Sequence, residues 1–245
     1  TGPTQRGAAI GMDKLAFSGT METAGIPSLP LHLVTDDLTL EEPGPFIIKP
    51  RFGGSSIGIE VVEDLATAKA LVKTQPLLRS GAVAQRYLSD AVDLNISVRT
   101  YPNTTLSAVE RPLRPEDGGI YSYADKYLTG PEGMASAPRE LPADLPPNIE
   151  GELRTIADQV VQLVMVRSVA RIDFLWNADG LWVNEINTIP GSLSWYFWSH
   201  EGVPFARLLT DLIQEATESP GARFQTDGAD GTALRDVGAI SHKLA

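Results

Sequence analysis

The sequence contains no cysteine and only three histidines, His32, His200 and His242, among its 245 residues. The absence of cysteine excludes disulfide bonds, thiolate catalysis and cysteine-ligated zinc. Histidines this widely separated do not indicate a histidine-rich metal site. No apolar run approaches the ~20 residues that span a bilayer, and no charged-then-apolar signal segment opens the chain. We therefore expect a soluble, cytoplasmic protein without a membrane partner.

Basic residues are also scarce, since 20 lysines and arginines stand against 31 aspartates and glutamates and give a net charge of −11. Because no long basic run occurs, the chain is not expected to bind nucleic acid. It can still bind a nucleotide, whose phosphates need only a few lysines, arginines, backbone N–H groups and Mg²⁺. The length and the 42% hydrophobic content allow a buried core in one or two domains.

Hydrophobic patterns and turn residues predict two successive units of helices and strands. The first has a helix over 12–25, strands over 46–49, 57–62 and 82–88, and a helix over 64–73 capped by Asp64. The second has a half-buried strand over 94–98, strands over 105–111, 168–176 and 181–187, and helices over 148–166 and 203–217. Residues 112–147 are polar and rich in proline and glycine, as functional lids often are. The tail from Glu218 onward is expected to be poorly ordered.

The most informative stretch is the predicted hairpin formed by the strands 168–176 and 181–187 around an Asp-Gly turn. We predict a three-residue loop, 178–180, with Gly180 left-handed, which pairs Asn177 with Leu181. That register sets Asp173 opposite Glu185 and Arg171 opposite Asn187, because side chains alternate faces along a strand. A two-residue loop would set Asp173 opposite Asn184 and separate the acids.

Two carboxylates and an amide oxygen, from Asp173, Glu185 and Asn187, would then converge on one face of the sheet. Adjacent carboxylates repel each other, and a hard dication such as Mg²⁺, which prefers oxygen ligands, removes that conflict. For the hairpin alone, a solvated polar face in which Arg171 neutralises Asp173 is an equally good interpretation.

A second candidate site is the loop 50–58, which follows Lys49 at the end of a short apolar strand. Its glycines permit close approach of the backbone to a ligand. Its N–H groups and the Ser55 and Ser56 hydroxyls could hold phosphate oxygens beside the Lys49 charge. The pattern is neither a P-loop nor a dinucleotide fingerprint, because no Lys-Ser/Thr pair or helix follows the last glycine. A flexible hairpin without a ligand remains the alternative.

Five segments in order resemble the D-alanine–D-alanine ligases of the ATP-grasp superfamily, and the resemblance extends over residues 1–217. They are Asp13-Lys14, Ile48-Lys49-Pro50 with the loop to Gly58, 123–127, 170–173, and 184–191, of which the last is the most specific. The resemblance implies an α/β (α+β) fold in which two subdomains grip ATP between antiparallel sheets. The subdomains would be 1–92 and 93–218, followed by a tail, 219–245. ATP and one or two Mg²⁺ ions, which Mn²⁺ could replace, are the implied cofactors.

The resemblance also implies a role for each matching residue. The residues expected at the ATP phosphates are Lys14, Lys49, Ser55 and Ser56; those at the adenine end are Gln85, Tyr87, Leu88 and Leu175, with Asp93 at the ribose. A mobile loop that closes over the site would contain Lys126 and Tyr127, and Mg²⁺ would be bound by Asp173, Glu185 and Asn187. The residues expected to act at the reacting centre are Arg171, Ser55, Tyr127 and Gly191, and those expected to bind the second substrate are Ser192, Ser194 and Tyr196.

Two departures from the family pattern leave alternatives open. The family has a further N-terminal domain before the position of Thr1, so we expect a truncated chain or a separate N-terminal polypeptide; a homodimer is also compatible. Tyr196 stands where the family often has serine, which suggests a bulkier nucleophile or simple packing. Besides peptide-bond formation between an amino acid or small carboxylate and an amine, the pattern therefore allows a ligase for other amides, a nucleotide-binding fragment, or a kinase.

Overall fold

The computed structural model describes residues 1–113 and 138–218, which form six helices, nine strands and two short 3₁₀ turns within those ranges. The helices are α1 Gln5–Met12, α2 Lys14–Thr23, α3 Leu65–Thr74, α4 Pro147–Val164, α5 Trp195–His200 and α6 Phe205–Glu218. The strands are β1 His32–Leu33, β2 Phe46–Pro50, β3 Glu60–Val62, β4 Ala82–Arg86, β5 Val92–Arg99, β6 Thr105–Pro112, β7 Arg139–Glu140, β8 Val169–Asn177 and β9 Gly180–Asn187. Among these described helices, none has the length and apolarity to cross a membrane.

The first sheet is antiparallel and has the strand order β1-β4-β2-β3. Apolar side chains of β2 and β4, including Phe46, Ile48 and Ala84, pack against α3. The helix α3 begins where predicted, because the Asp64 side chain accepts a hydrogen bond from the N–H of Thr67. The strand predicted over 57–62 is shorter, because residues 55–58 form a turn.

The second sheet is also antiparallel, with the order β7-β6-β5-β8-β9. The apolar face of α4 packs on one side of it, where Leu153 and Val160 contact the β5 and β8 side chains. The prediction that β5 is half-buried was wrong, because Asn95 and Ser97, at 7% and 0% exposed, are buried like the apolar residues with which they alternate. Their face is covered, and Asn95 lines the cleft described below.

The helix predicted over 12–25 is interrupted at Asp13, which ends α1 and caps α2 by accepting hydrogen bonds from the N–H groups of Leu15 and Ala16. Phe17 and Met21 of α2 belong to the core of the second sheet. The N-terminal helices therefore pack with residues of the predicted second subdomain, although they precede the first sheet in sequence. The boundary after residue 92 stays a prediction.

The hairpin loop was predicted wrongly, but the pairing of the acids is as expected. Asn177 pairs with Gly180, so the loop has two residues, and Gly180 is not among the glycines with positive φ. A β-bulge then places Asn184 as an extra residue, because Phe174 pairs with Val183 while Asp173 pairs with Glu185. The glycine is required for another reason: a Cβ at Gly180 would lie 2.9 Å from the Trp182 ring.

Candidate active site

A cleft between the two sheets brings together most of the residues singled out from the sequence. Thirteen of them line it: Lys14, Lys49, Ser55, Ser56, Gln85, Tyr87, Leu88, Asp93, Arg171, Asp173, Leu175, Glu185 and Tyr196. Lys126 and Tyr127 lie outside the described residues. The cleft is therefore the common location of the proposed phosphate, metal and nucleotide contacts, while the role of each residue stays a prediction.

The acidic part of the cleft is built on the β8–β9 hairpin. Arg171 donates two parallel hydrogen bonds to Asp173, with Nε–Oδ1 at 2.6 Å and Nη2–Oδ2 at 2.7 Å. The Asn187 amide donates to Oδ2 of Asp173 at 3.0 Å, and Glu185 is the Cα partner of Asp173 across the ladder. Burial acts to lower the pKa of Arg171, but the neighbouring Asp173 carboxylate outweighs it and raises that pKa well above its ordinary value.

The donor set of this hairpin fits a hard divalent cation. Asp173 and Glu185 are Cα partners that both line the cleft, whereas Asn187 is not among the lining residues and reaches the pair through its hydrogen bond to Asp173. Mg²⁺ takes carboxylate and amide oxygen ligands while keeping part of its shell for phosphate and water. The part of the chain that the structure describes contains no cluster of three or more His, Cys, Asp and Glu side chains placed for a metal. A site with Asp173, Glu185 and Asn187 is consistent with that finding because its third ligand is an amide.

Lys49 joins the first sheet to this hairpin. Its side chain is only 7% exposed, and its Nζ donates to Oε1 of Gln85 at 2.8 Å and to Oδ1 of Asn184 at 3.2 Å. The bulge at Asn184 is what turns that amide toward the cleft. Gln85, predicted at the adenine, instead has Oε1 engaged by Lys49 and Nε2 donating to the carbonyl of Leu29 at 3.4 Å. The lysine charge is thereby fixed next to the acidic hairpin.

The Gly/Ser loop adopts a backbone suited to an anion. Gly53 and Gly58 have positive φ, and so do Ser55 and Ser56, at 57° and 58°. Non-glycine residues rarely adopt this conformation, and its occurrence often marks a ligand site. Lys14 Nζ donates to the carbonyl of Gly53 at 2.8 Å, and burial lowers the pKa of this lysine. A bound phosphate would meet successive N–H groups together with a nearby cation.

Apolar side chains also line the cleft. Ile47, Tyr87, Leu88 and Leu175 are among the lining residues, and Asp93 is the Cα partner of Leu175 on the neighbouring strand. Apolar residues with a carboxylate beside them suit a purine ring followed by ribose hydroxyls. All four predicted adenine and ribose residues, Tyr87, Leu88, Leu175 and Asp93, thus line the same cleft as the Arg171–Asp173 pair.

The residues predicted after Pro190 are not all brought to the cleft. Ser192 and Ser194 have left-handed backbones in the 3₁₀ turn Gly191–Ser194, and neither they nor Gly191 line the cleft. Ser194 has no exposed surface, and its Oγ has no hydrogen-bond partner among the described residues. The roles predicted for Ser192 and Ser194 in substrate binding therefore stay predictions. Tyr196, one turn later, does line the cleft.

Four polar or charged residues of the cleft were not assigned a role from the sequence: Asn95, Glu110, Arg139 and Asn184. Glu110 follows a run of small and apolar residues, 106–109, in β6, and a charged residue next to such a run was the available signal. Asn95 was assigned to a solvated face because the pairing of β5 with β8 was not foreseen. Nothing in the sequence near Asn184 indicated the bulge.

Comparison with known proteins finds a family model and relatives that are named as ligases. The family model described as D-ala D-ala ligase C-terminus matches residues 21–214. The D-alanine--D-alanine ligase of Thermosipho africanus is 30% identical over 176 residues, covering 71% of this chain and 47% of the relative. That of Solibacter usitatus is 31% identical over 226 residues, covering 86% of this chain and 66% of the relative. The chain thus spans about half to two thirds of the length of these curated relatives.

Solved structures show the same fold at lower identity. D-alanyl-alanine synthetase A from Vibrio cholerae superposes with a TM-score of 0.71 at 22% identity, covering 89% of this chain and 68% of the other. D-alanine--D-alanine ligase from Bacillus anthracis, solved in complex with ATP, gives a TM-score of 0.69 at 17% identity, covering 89% and 70%. The predicted fold class, two subdomains with antiparallel sheets facing a cleft, is confirmed by this likeness.

Proposed function

The chain belongs to the D-ala D-ala ligase C-terminus family, and from that premise we propose that it forms the ATP-binding and ligating part of an ATP-dependent carboxylate–amine ligase. The observation that supports this most directly is the meeting of Lys49 from the first sheet with Asn184 beside the Asp173–Glu185 pair of the second. A nucleoside triphosphate binds with a divalent cation, and this cleft has a lysine that can contact its phosphates on one wall and a hairpin suited to the cation on the other.

ATP would lie along the cleft with its purine against the apolar side chains and its phosphates at the Gly/Ser loop. Lys14 and Lys49 would offset phosphate charge, and the N–H groups of the Gly/Ser loop would donate to phosphate oxygens. Asp173, Glu185 and Asn187 would hold Mg²⁺ or Mn²⁺, which would neutralise part of the negative charge of the phosphates. Phosphoryl transfer between two anions depends mainly on such positioning and neutralisation.

The reaction would join a carboxylate to an amine through an acyl phosphate. A carboxylate alone is a poor acyl donor because its leaving group would be oxide. Transfer of the γ-phosphoryl group from ATP, which leaves as ADP, converts the carboxylate to an acyl phosphate, a mixed anhydride. Attack by the neutral amine then forms the C–N bond, breaks the C–O bond to phosphate, and releases inorganic phosphate and a proton. Arg171, fixed by two hydrogen bonds to Asp173, would stabilise the charge on the carbonyl oxygen.

The substrates proposed are two amino acids, with D-alanine as the first candidate because the relatives are named for it. Tyr196 favours a second candidate, a ligase whose amine differs from D-alanine. Its phenol fills a position predicted to bind the second substrate and has its hydroxyl 3.5 Å from Glu110. Phosphoryl transfer and amide formation would be the same in both cases.

The test supplies the purified chain with Mg²⁺, ATP and D-alanine, and then with other amino-acid pairs, and measures phosphate release and the mass of the product. Amine-dependent release of phosphate with a product heavier than either amino acid supports the ligase. Nucleotide binding without phosphate release under every pair would instead indicate a binding part that needs another polypeptide. A stable phosphorylated carboxylate would indicate a kinase.

A further inference from the structure

Glu110 is a buried carboxylate in the cleft that the proposed reaction does not use. It is 3% exposed and lines the cleft from β6. Its Oε2 accepts from the Asn95 amide at 3.0 Å and from the Tyr196 hydroxyl at 3.5 Å, while Arg139 Nη1 lies 2.9 Å from Oε1. Burying a carboxylate costs free energy even when it is paired, so its presence at a ligand cleft calls for a function.

The strand register places Glu110 in line with the metal-binding acids. Glu110 is the Cα partner of Asn95, Asn95 of Asp173, and Asp173 of Glu185, so the four side chains form one row across four strands. Neighbouring strands lie about 4.8 Å apart, so Glu110 is roughly 10 Å from Asp173 along this row. That interval leaves room for the reacting carbonyl group between the phosphate end and Glu110.

The geometry of the reaction then indicates which reacting group lies at each end of this row, the departing phosphate at one end and the amine at the other. The departing phosphate lies with the ATP phosphates near Asp173 and Glu185, so the amine approaches from another direction. The side away from β9 is walled by Asn95 and Glu110, with Tyr196 of α5 beside them. An amine substrate arrives mostly as an ammonium ion, and a carboxylate is the side chain that holds an ammonium ion by charge-assisted hydrogen bonds.

We propose, building on the ligase function above, that Glu110 recognises the ammonium group of the amine substrate and that Tyr196 and Asn95 orient the Glu110 carboxylate for it. The Arg139 ion pair does not remove the need for a further cation. Arg139 also lies 4.0 Å from the centre of the Tyr196 ring and so shares its charge between two neighbours. Burial raises the pKa of Glu110, while the Asn95 hydrogen bond and the Arg139 charge act against that rise.

The experiment measures how the acyl phosphate partitions between two nucleophiles. The parent chain and Glu110→Gln receive ATP, Mg²⁺, D-alanine and hydroxylamine, and the ratio of dipeptide to alanyl hydroxamate is determined by mass spectrometry. Hydroxylamine is uncharged at neutral pH and needs no ammonium site. We expect Glu110→Gln to lower the ratio about tenfold or more, because one charge-assisted hydrogen bond is lost, while hydroxamate formation continues.

The controls separate recognition from a structural role. Glu140→Gln removes a carboxylate that pairs with Arg111 in the neighbouring β7 strand, outside the cleft lining, and should leave the ratio unchanged. An unchanged ratio in Glu110→Gln overturns the proposal. If Glu110→Gln makes neither product, Tyr196→Phe decides by the same ratio: a fall supports the proposal and an unchanged value overturns it. A parent that makes no hydroxamate overturns the proposed ligase function itself.

Discussion

At the scale of single residues, the charged side chains of the cleft are held in place by partners from neighbouring elements. Lys49 donates hydrogen bonds to Gln85 and Asn184, and Arg171 donates to Asp173. A buried charge with fixed partners need not reorganise when charge develops on a substrate, and such preorganisation is a large term in catalysis. Buried, paired cations are therefore the residues whose conservative replacement should be most costly.

Arg171→Lys should lower the turnover number by about 10²–10³, the usual cost of losing one preorganised donor at the reacting centre. Lysine keeps the charge but cannot make two parallel hydrogen bonds to Asp173. The affinity for ATP, measured by calorimetry, should change little because the proposed phosphate contacts lie elsewhere. Arg154→Lys, at an exposed pair with Glu150 on α4, is the matched control and should behave as the parent. A turnover within about tenfold of the parent would reject this role.

Asp13→Asn tests the ion pair that ties the start of α2 to Arg51. Arg51 donates to both carboxylate oxygens, at 2.8 Å and 2.6 Å, and its hydrogen bond lowers the pKa of Asp13. A lowered carboxyl pKa adds stability above the unfolded value of about 3.9 and loses it as pH falls through the folded pKa.

Since asparagine caps helices as well as aspartate, the variant isolates the ion pair. We expect the free energy of unfolding to fall by about 1 kcal/mol at pH 7. In urea titrations this difference should shrink as the pH falls below the unfolded value of about 3.9 and through the lowered pKa of the folded state. Asp36→Asn, at a pair with Lys73 in which the two side chains are 79% and 65% exposed, should show no measurable change at any pH because solvent screens the pair. A difference for Asp13→Asn that is constant with pH would contradict the account.

At the scale of elements, α6 is fastened to the second sheet by a buried carboxylate. Asp211 is 1% exposed and accepts from Arg99 of β5 at 3.1 Å and from Arg207 at 2.7 Å. Asp211→Ala should lower the free energy of unfolding by about 3 kcal/mol, because it leaves the largely buried Arg99 without this partner. Arg207→Ala removes only the exposed partner and should cost about 0.5 kcal/mol. Equal losses in the two variants, measured by urea unfolding, would show that burial of the pair is unimportant.

Most elements could be predicted from the sequence where hydrophobic pattern and cap agreed, as in α3 behind Asp64 and in β2. The β8–β9 hairpin shows where local rules end. Its loop length was wrong, yet Asp173 still faces Glu185, because a bulge at Asn184 restores the register that the shorter loop would have lost. Bulges and contacts between distant strands depend on tertiary packing, which explains why Asn184, Asn95 and Glu110 could not be assigned to the site from local pattern alone.

At the scale of the whole molecule, the two sheets have separate apolar cores and meet at the cleft. The first sheet contributes Lys49 and the Gly/Ser loop that follows it, α2 contributes Lys14, and the second sheet contributes the acids and the arginine. The first sheet lacks the acids, and the second lacks Lys49 and the Gly/Ser loop. The proposed binding of a metal–nucleotide complex therefore requires the two sheets together. This division also explains why the missed residues Glu110 and Asn95 lie on the second sheet, beside the acids rather than the phosphate cations.

The most direct test of this account is a crystal structure of the chain with ATP and Mn²⁺, in which the metal is located by its anomalous scattering. We predict an anomalous peak within coordination distance of Asp173, Glu185 and Asn187, with the phosphates between that peak and Lys49. A peak away from the β8–β9 hairpin, or a nucleotide bound outside the cleft, would contradict the central claim that the two sheets together hold a metal–nucleotide complex.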